Sequence, residues 1–592
     1  MTRARLQGSP QPRWAIAALG VVAAGAALAY AWGANREVIE IYYGAAVRSM
    51  SSSWHDFAFG AFDPAGTVTL DKLPGAFWLQ ALSARIFGLH VWSIVLPQVV
   101  EGVLTIVVIY RVVRRQAGWA AGLLAAGLLA AAPAAVALDR GNISDSLLIL
   151  LLVLAADATA RATETGRPAT LVLAGVWVGL AFQAKMLEAW LVLPALGASY
   201  LLAAPGNVGR RIAHVAAGAT ATVAVSLAWM CVVALTPAHD RPYVDGSTHD
   251  SIFQQVFHYN GFGRIDTPLA GGVVGRAAAT LLADFGIRHE RGWDRLVVGA
   301  AGRDVAWLLP AAAVSLVALL WARRREPRTD RVRAAAVLWG VWLVVLFVAF
   351  STADRINAYY LAALAPPLAA LVAIGAAAAW QARSPVPVAV LGACSAAYAI
   401  ALLPTGRLSL VLPLVLGVLG TAALAAGVLA ALRRGVHAEA AAFGLALVAL
   451  VAAPAVASGA IVVHRLGPFD TPFQPSGITA VTQTFAGQAQ HPSPSLVATF
   501  ERAGRGAAYP LATYTSLIAA PLIFATGKEV LPIGGFDGML PSPTLSRLQQ
   551  LIASGRLHLI ASPPTRDPRI RWIRRHCLRL PAAVAFPVSY CR

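Results

Sequence analysis

The sequence predicts an α-helical protein that crosses a membrane about thirteen times and ends in a small α/β domain. Apolar runs of about 18 or more residues recur between Trp14 and Val463, and each is long enough to span a bilayer. Only 13% of the 592 residues are charged, whereas soluble proteins average about 25%. Arginine is concentrated in alternate short loops, as expected of loops that face the cytoplasm.

Apolar length and arginine position define the individual spans. We place them at residues 14–32, 91–111, 118–137, 146–160, 169–186, 188–204, 211–235, 304–321, 333–351, 358–380, 385–403, 409–432 and 438–462. An odd number of crossings puts the N-terminus in the cytoplasm and the C-terminus outside, and every short arginine-rich loop then lies inside. The first run has the basic start of a signal peptide but no convincing cleavage site, so we expect it to remain as a helix.

The same arginine pattern accounts for the net charge of +19. A chain this basic invites a nucleic-acid interpretation, but the charges alternate between loops instead of forming one patch. We therefore expect membrane lipids as partners and no nucleic acid.

The predicted membrane domain covers residues 1–462 and has two long outer segments, 33–90 and 236–303. The first contains an amphipathic stretch at 75–87, which we expect to lie at the membrane interface because polar residues interrupt it. The second is polar and rich in glycine before it becomes helical, and its polar part is suited to covering a ligand or to plain solvation.

Residues 463–592 are predicted to form a separate extracytoplasmic domain that begins with a proline-rich linker. Apolar runs at 496–500 and 557–560 have the composition of strands, and 541–554 has that of a helix. This alternation is typical of a small α/β domain.

Four cysteines are present in the chain. Cys231 and Cys394 lie in apolar helices, where packing is the expected role. Cys577 and Cys591 share the C-terminal segment, and an oxidising extracytoplasmic environment would allow a disulfide between them.

Carboxylates gather in two of the predicted outer connections. Asp63 and Asp71 lie in a loop shaped by proline and glycine, and Asp139 and Asp145 flank a turn between two apolar helices. Acidic groups in a hydrophobic helical bundle are costly, so they mark candidate functional sites. Such a carboxylate can deprotonate an acceptor hydroxyl, or it can hold Mg²⁺ or Ca²⁺, for which Asp71 and Asp145 are the candidates. The alternative is helix capping.

Basic residues accompany these carboxylates on the same predicted side of the membrane. The candidates for contact with a phosphate are Lys72, Lys185, Arg140 and Arg355. Lysine is rare in this chain, with Lys528 as its third occurrence, so its position carries some information. The alternatives are an ion pair between Lys72 and Asp71, and snorkelling of Lys185 to the interface.

Amide and aromatic residues near these charges are the candidates for substrate binding. They are Asn142, Tyr259, Asn260, Tyr359 and Tyr360. For the paired tyrosines an interfacial aromatic belt is an equally good interpretation.

Taken in order, these strings resemble the GT-C glycosyltransferases, specifically the ArnT-like and protein-mannosyltransferase-like family 39 and its YkcB-like branch. The strings that carry the resemblance are Tyr42–Val47 with Ser53–Trp54, Phe62–Gly66, Asp71–Pro74, Arg140–Asn142 with Asp145, Phe182–Met186, Tyr259–Arg264, Tyr359–Tyr360, and Ile533–Gly538 followed by Pro543–Leu545. Each string is weak alone, but their order and predicted topology make the combination specific.

The resemblance implies a GT-C-like fold in a bacterial plasma membrane. It implies transfer of a sugar from a polyprenyl-phosphate donor to a cell-envelope glycan, lipid or protein on the outer face, with inversion. Asp71 matches the acidic residue before the family's Lys-Pro-Pro string, and Asp145 matches its second-loop aspartate. Lys185 and Arg355 would contact the donor phosphate.

Two departures from the family pattern concern the site. Leu73 replaces the first proline of the Lys-Pro-Pro string. The acidic pair of the first loop is reduced to Glu40, since Ile39 occupies the other position. The catalytic base therefore stays open among Glu40, Asp63 and Asp71, with Asp71 favoured.

Two other functions are compatible with the same residues. A transporter or flippase for a lipid-linked or anionic solute would place charged or broken-helix features near mid-membrane. A scaffold without catalysis would use the C-terminal domain to bind cell-wall polymer, and the reduced first-loop pair keeps this hypothesis open.

Overall fold

A computed structural model describes residues 11–36, 39–263, 292–353, 356–404, 411–433, 436–474, 476–503, 506–580 and 587–592. Within these ranges the chain forms a helical bundle followed by a small sheet with helices around it. The predicted class, a multi-pass helical membrane protein with a small C-terminal α/β region, is confirmed.

The bundle is built from helices of very different lengths. In chain order they are α1 (Arg13–Ala31), α2 (Ile41–Ser52), α3 (Trp54–Phe59), α4 (Gly75–Phe87), α5 (Val91–Ala117), α6 (Trp119–Ala130), α7 (Pro133–Leu138), α8 (Asp145–Thr165), α9 (Pro168–Lys185), α10 (Leu193–Ala203), α11 (Val208–Leu235), α12 (Gly299–Val305), α13 (Leu309–Ala322), α14 (Arg331–Thr352), α15 (Ala365–Gln381), α16 (Pro385–Leu402), α17 (Val411–Arg433) and α18 (Val436–Val463). Shorter 3₁₀ segments are Ala34–Arg36, Met186–Val192, Ala238–Asp240, Trp293–Leu296, Ala306–Leu308 and Ala358–Leu364, and Gln254–Phe262 is π-helical.

Eleven helical stretches among the described residues are long and apolar enough to cross a membrane, against the thirteen spans predicted. One difference is the predicted span 118–137, which is divided into α6 and α7. Pro133 begins α7 and has no backbone N–H to continue the helix before it, so neither piece reaches spanning length.

The other difference is the stretch 168–203, which counts as one apolar stretch of 36 residues. A straight helix of that length would measure ~54 Å, well beyond the ~30 Å of a hydrocarbon core. The helix is interrupted after Lys185, because Met186 has a backbone φ of 48° and a 3₁₀ segment follows. Two spans meeting at Lys185, as predicted, fit this geometry.

The helices that carry the predicted site pack directly on one another. α8 packs on α5 and α9, and α9 packs also on α11. Because α8 and α9 are consecutive and joined by a short turn, they run in opposite directions, as in helix bundles generally. The start of α8, at Asp145, and the end of α9, at Lys185, therefore lie at the same end of the bundle.

Helix α4 packs between α2 and α5 and has an inverted distribution of polarity. It buries Gln80 and Ser83 and exposes Leu79, Ile86 and Phe87. A helix on a water-facing surface would show the opposite arrangement. This pattern supports the predicted location of 75–87 beside lipid.

The described part of the C-terminal segment contains five helices and a five-stranded sheet. The helices are α19 (Ser476–Gln490), α20 (Pro494–Ala503), α21 (Ser516–Thr526), α22 (Leu545–Ala553) and α23 (Pro568–His576), and the strands are β1 (Ala512–Thr513), β2 (Leu531–Pro532), β3 (Leu559–Ala561), β4 (Leu578–Arg579) and β5 (Val588–Tyr590). The sheet order is β2-β1-β3-β5-β4; β1 pairs in parallel with β2 and β3, and β5 is antiparallel to β3 and β4. A disulfide joins Cys577 and Cys591 beside β4 and β5.

The strand predicted at 496–500 is wrong, because this run lies in α20. Its burial follows a helical period: Leu496 and Val497 are half-buried, Phe500 is buried, and Ala498 is exposed. A strand would have placed residues 496, 498 and 500 on one face. The run at 557–560 overlaps β3, and the helix predicted at 541–554 contains α22.

The C-terminal segment is packed against the bundle. Helix α21 lies on α2, where the Arg48 guanidinium donates to the carbonyl of Phe524. The backbone N–H of Ile39 donates to the Gln490 side chain at 3.1 Å. Residues just before and within α2 are therefore held by the tail, more than 400 positions away in sequence.

The guanidinium of Arg569 organises the interior of the C-terminal domain. It forms an ion pair with Asp567 at 2.6 Å and donates to the carbonyls of Leu540 and Pro543 at 2.8 and 3.1 Å. Both charged side chains are almost fully buried.

Replacing Arg569 with leucine is expected to destabilise this domain by about 3 kcal/mol, because it leaves a buried carboxylate and several carbonyls without their donor. Hydrogen exchange of the backbone amides in residues 531–545 of the full-length protein measures the loss. The matched control is Arg571→Leu, an exposed position on the same helix. Equal protection in the two variants would contradict the role given to Arg569.

Candidate active site

The loop between α3 and α4 is folded around the carboxylate of Asp63. Its oxygens accept hydrogen bonds from the backbone N–H of Thr67 at 3.0 and 3.1 Å, from the Thr67 hydroxyl at 2.9 Å, and from the N–H of Val68 at 3.0 Å. Burial raises the pKa of Asp63 and also that of Glu529, a carboxyl group of the tail that accepts from the N–H of Ala65 in the same loop at 2.8 Å. The Asp63 carboxylate is occupied in shaping the loop.

Asp71, eight residues further on, is held in place by hydrogen bonds to its backbone N–H and carbonyl groups. Its N–H donates to the Tyr42 hydroxyl at 2.9 Å, and its carbonyl accepts from the Asn260 amide at 2.6 Å. The residue is 3% exposed, yet Oδ1 accepts no hydrogen bond from the described part of the chain. The Lys72 Nζ lies 3.9 Å from that oxygen.

Glu40 lies near Asp71 and Lys72 at the start of α2. Its carboxylate accepts from the N–H of Tyr42 at 3.4 Å and thereby caps the helix. Burial raises its pKa, the charge on Asp71 raises it further, and Lys72 lowers it. Asn142 holds the backbone of Glu40 in both directions, accepting from its N–H at 2.8 Å and donating to its carbonyl at 3.1 Å.

A second cluster surrounds the ammonium group of Lys185. The Nζ donates to Asp145 Oδ1 and lies 3.0 Å from Glu188 Oε2. It also sits over the ring of Tyr360, 3.5 Å from the centroid, and 4.8 Å from the centroid of Tyr359. Two carboxylates and two aromatic faces therefore fix one buried cation.

The Asp71 loop and the Lys185 cluster lie side by side. Gly75, at the start of α4, is so close to the end of α9 that a Cβ there would lie 2.6 Å from the Gln183 carbonyl oxygen. The ring of Tyr43 stacks under Lys72, 4.7 Å from its Nζ. Burial raises the pKa of Tyr43, with smaller contributions from Asp71 and Tyr359, which places all three in one environment.

Three further candidate residues remain to be placed, namely Arg140, Tyr259 and Arg355. Arg140 is fully buried and donates to the carbonyls of Ala29 and Trp32, so these contacts tie its turn to the end of α1. Tyr259 packs against Gly246. Arg355 lies outside the described residues.

Three acidic residues near these clusters were not singled out by the sequence analysis. They are Glu188, Asp245 and Asp537. Glu188 interrupts an apolar stretch close to Lys185, which is a signal that could have been used. Asp537 lies in the string Ile533–Gly538 that carried part of the resemblance, and Asp245 lies in the polar segment suited to covering a ligand, but neither was named as a site residue.

Asp245 and Asp537 approach Asp71 from two different segments. The carboxylate of Asp245 accepts from the N–H of Gly246 at 2.7 Å and from the N–H of Phe536 at 2.8 Å. Burial raises the pKa of Asp245 well above its ordinary value, and the charges on Asp71 and Asp537 raise it further. The pKa of Asp537 is raised by burial and by Asp71.

The predicted cation ligands lie in different clusters. Asp71 lies beside Lys72, and Asp145 is bonded to Lys185. Among the residues described by the structure, no three His, Cys, Asp or Glu side chains are grouped to hold a metal ion. A divalent cation at Asp71 or Asp145 stays a prediction.

Two family models match parts of the chain. Residues 71–229 match the model described as dolichyl-phosphate-mannose-protein mannosyltransferase, and residues 496–576 match the C-terminal domain of YkcB-like proteins, provisionally described as mannosyltransferases. The first match begins at Asp71 and includes Asp145 and Lys185.

Two curated relatives resemble nearly the whole chain. YycA and YkcB of Bacillus subtilis (strain 168), both provisionally named mannosyltransferases, are 28% and 27% identical to it. The alignments cover 90% of this chain and 90% of YycA, and 91% of this chain and 88% of YkcB.

Solved structures share the fold at lower identity. Crystal structures of ArnT from Cupriavidus metallidurans superpose with a TM-score of 0.57 in the apo state and 0.54 with undecaprenyl phosphate bound, at 16% and 17% identity. They cover 98% and 97% of both chains. The Archaeoglobus fulgidus oligosaccharyltransferase superposes with a TM-score of 0.50 at 15% identity, over 93% of this chain and 69% of that one.

Together, the family matches, the curated relatives and the shared fold support a membrane glycosyltransferase of the GT-C class. Within that class the chain is similar to the YkcB-like branch, as the second family match and both curated relatives indicate. The resemblance inferred from the sequence is therefore confirmed.

The contact between Asp245 and the tail is expected to depend on pH. Because the pKa of Asp245 is raised in the folded protein, the folded state retains a proton that the unfolded chain releases at lower pH. The stability that this proton provides is fully present below about pH 4 and is lost as the pH rises toward the raised pKa.

Residues 533–539 are expected to lose protection from hydrogen exchange as the pH rises above about 4, and Asp245→Asn is expected to remove the part of this loss that comes from Asp245. Hydrogen exchange at a series of pH values, corrected for intrinsic rates, measures it. The control is Asp240→Asn, an exposed carboxylate in the same connection. An unchanged pH profile in Asp245→Asn would exclude this titration.

Proposed function

We propose that the protein transfers a sugar from a polyprenyl-phosphate donor to a hydroxyl group of a cell-envelope acceptor, with inversion at the anomeric carbon. The observation that carries this proposal is the buried carboxylate of Asp71, whose Oδ1 has no hydrogen-bond donor among the described residues, beside Lys72 and close to the cluster that fixes the Lys185 ammonium. An open acceptor atom in a buried site is suited to take a proton from a substrate.

Asp71 is the best candidate for the catalytic base among the three that the sequence left open. Asp63 already accepts its hydrogen bonds from the loop, and Glu40 caps α2. In the proposed step, the acceptor oxygen attacks the anomeric carbon while its proton passes to Asp71 Oδ1. The bond between that carbon and the donor phosphate breaks, and polyprenyl phosphate leaves with the electron pair.

The leaving phosphate gains negative charge in this step, and the lysines are placed to stabilise it. Lys185 is held by Asp145, Glu188 and the tyrosine faces, so its ammonium does not need to be ordered during the reaction. Lys72 lies on the Asp71 side of the same region. We assign both to the donor phosphate, with Arg355 as a third candidate and with Tyr359 and Tyr360 as contacts of the substrate.

The comparison with ArnT supports a lipid-linked donor. One crystal structure of that enzyme contains undecaprenyl phosphate. Because the likeness to this chain is one of fold, the donor assignment rests on the positions of Lys72 and Lys185. A donor of this type reaches the site from the bilayer, and we place the site on the outer face of a bacterial plasma membrane.

We further propose that residues 1–462 form the membrane domain and that residues 463–592 form an extracytoplasmic domain. Arginine-rich short loops on the opposite side support this orientation. The disulfide between Cys577 and Cys591 supports an oxidising location for the tail.

Asp71→Asn is expected to lower the rate of sugar transfer by about 10²- to 10⁴-fold while leaving donor binding intact, because the amide cannot accept the proton. The assay uses full-length protein in nanodiscs with radiolabelled polyprenyl-phosphate hexoses and pentoses. Asp240→Asn serves as the matched control. If Asp71→Asn transfers sugar at the wild-type rate, the catalytic base is another residue.

Lys185→Gln is expected to weaken binding of undecaprenyl phosphate by about 10- to 100-fold, the usual effect of losing a charged hydrogen bond. The control is Lys528→Gln, since that lysine lies half-exposed in the tail, paired with Glu501. Binding can be measured by native mass spectrometry of detergent-solubilised protein. If both variants retain wild-type affinity, Lys185 does not contact the phosphate.

A further inference from the structure

The loop Ile533–Gly538 of the C-terminal domain, here called the glycine loop, is fitted closely against the bundle. Gly535 has a backbone φ of +66°, and a Cβ at this residue would lie 2.5 Å from Asp245 Oδ1. The next residue, Phe536, donates its N–H to the other oxygen of Asp245 at 2.8 Å. Only glycine allows the backbone to approach this carboxylate so closely.

The aromatic ring of Phe536 reaches the residue that positions the proposed base. Its centroid lies 4.7 Å from that of Tyr42, with the rings at 64°. The Tyr42 hydroxyl in turn accepts from the backbone N–H of Asp71 at 2.9 Å. The glycine loop is thus separated from Asp71 by one aromatic side chain.

A third segment completes the connection between the loop and the base. The Gln255 amide donates to the carbonyls of Leu70 and Asp245 at 2.7 and 2.8 Å, and the Asn260 amide donates to the carbonyl of Asp71. Three segments distant in sequence therefore meet around one carboxylate. The contacts of Phe536 with Asp245 and Tyr42 join the predicted C-terminal domain to the predicted membrane domain.

Asp537 is the residue of the glycine loop whose side chain can accept further hydrogen bonds from a ligand. Its Oδ1 accepts from the N–H of Met539 at 2.9 Å, and the residue is half-buried, so the carboxylate remains accessible. The charge on Asp71 raises the pKa of Asp537, which is consistent with the contact of the neighbouring Phe536 ring with Tyr42. Asp71 itself is 3% exposed, and its Oδ1 accepts no hydrogen bond from the described residues.

We propose that the glycine loop forms the acceptor side of the active site, and that Asp537 binds the hydroxyl groups of an uncharged sugar acceptor. This inference rests on the proposed function, since it adds an acceptor subsite to that reaction. A carboxylate only accepts hydrogen bonds, so it recognises hydroxyl donors and repels phosphate or carboxylate groups. The ring of Phe536 supplies an apolar surface beside it.

The charge around the subsite favours the same class of acceptor. The charges of Asp71 and Asp537 both act on Asp245, and Lys72 lies 3.9 Å from Asp71 Oδ1. An anionic polymer would have to approach the acidic side chains of Asp71 and Asp537, which costs free energy in a partly buried site. An uncharged glycan meets no such repulsion and places its hydroxyl beside Asp71.

The test measures acceptor binding separately from transfer. Full-length protein in nanodiscs is applied to an array that carries uncharged hexose and pentose glycosides, together with phosphorylated and carboxylated glycans. We expect binding to uncharged glycosides, reduced by about 5- to 10-fold in Asp537→Ala, as for the loss of one or two hydrogen bonds. Gly535→Ala should reduce it too, because the added methyl group displaces the loop from Asp245.

Gly506→Ala is the matched control, since Gly506 also has a positive φ, of +83°, but a Cβ there meets nothing within 4 Å. Undecaprenyl phosphate binding, measured on the same preparations, should be equal in all variants and shows that the bundle is folded. The proposal is overturned if the wild type binds no uncharged glycoside, if it prefers anionic glycans, or if Asp537→Ala binds as the wild type does. Transfer that depends on Asp71 would still stand in each of those cases.

Discussion

A charged group buried in an apolar bundle must be paired, and this constraint shapes the whole end of the molecule described here. Lys185 meets two carboxylates and two aromatic faces, Arg140 caps the end of α1, and Asp63 is enclosed by its own loop. Asp71 Oδ1 is one of several buried acceptor atoms that lack a hydrogen-bond donor among the described residues, and it lies 3.9 Å from the Lys72 ammonium. An enzyme site needs one such unsatisfied group, and neighbouring contacts must hold it in place because it cannot hold itself.

Much of the fold could be predicted because hydropathy is a local property of the chain. A run of apolar residues has to be buried or to face lipid wherever it lies, so the class and the C-terminal α/β region followed from composition. The errors arose where geometry overrides composition. Pro133 divides one apparent span, and the run at 496–500 is amphipathic with a helical period although its residues favour strands.

The candidate site was predictable only in part, for a related reason. Asp71, Asp145 and Lys185 attract notice because a charge in an apolar surrounding is costly at any position. Asp245 and Asp537 lie among other polar residues, and their importance comes from contacts that are distant in sequence. The hydrogen bond from Phe536 to Asp245 spans 291 positions, and no local pattern encodes it. The roles given to these residues stay predictions.

The division of the chain into a membrane part and a tail follows from differences in composition. The candidate site, however, is built from residues of both parts. The two family matches cover residues 71–229 and 496–576, and the segment that joins them physically, around Asp245 and Gln255, lies outside both. That segment holds the Asp71 loop on one side and the glycine loop on the other. A change in the tail can alter the surroundings of Asp71 through these contacts without disturbing the helices that carry Asp145 and Lys185. Under the proposed function, acceptor choice can thus differ between relatives while the lysines and carboxylates around the proposed phosphate site stay in place.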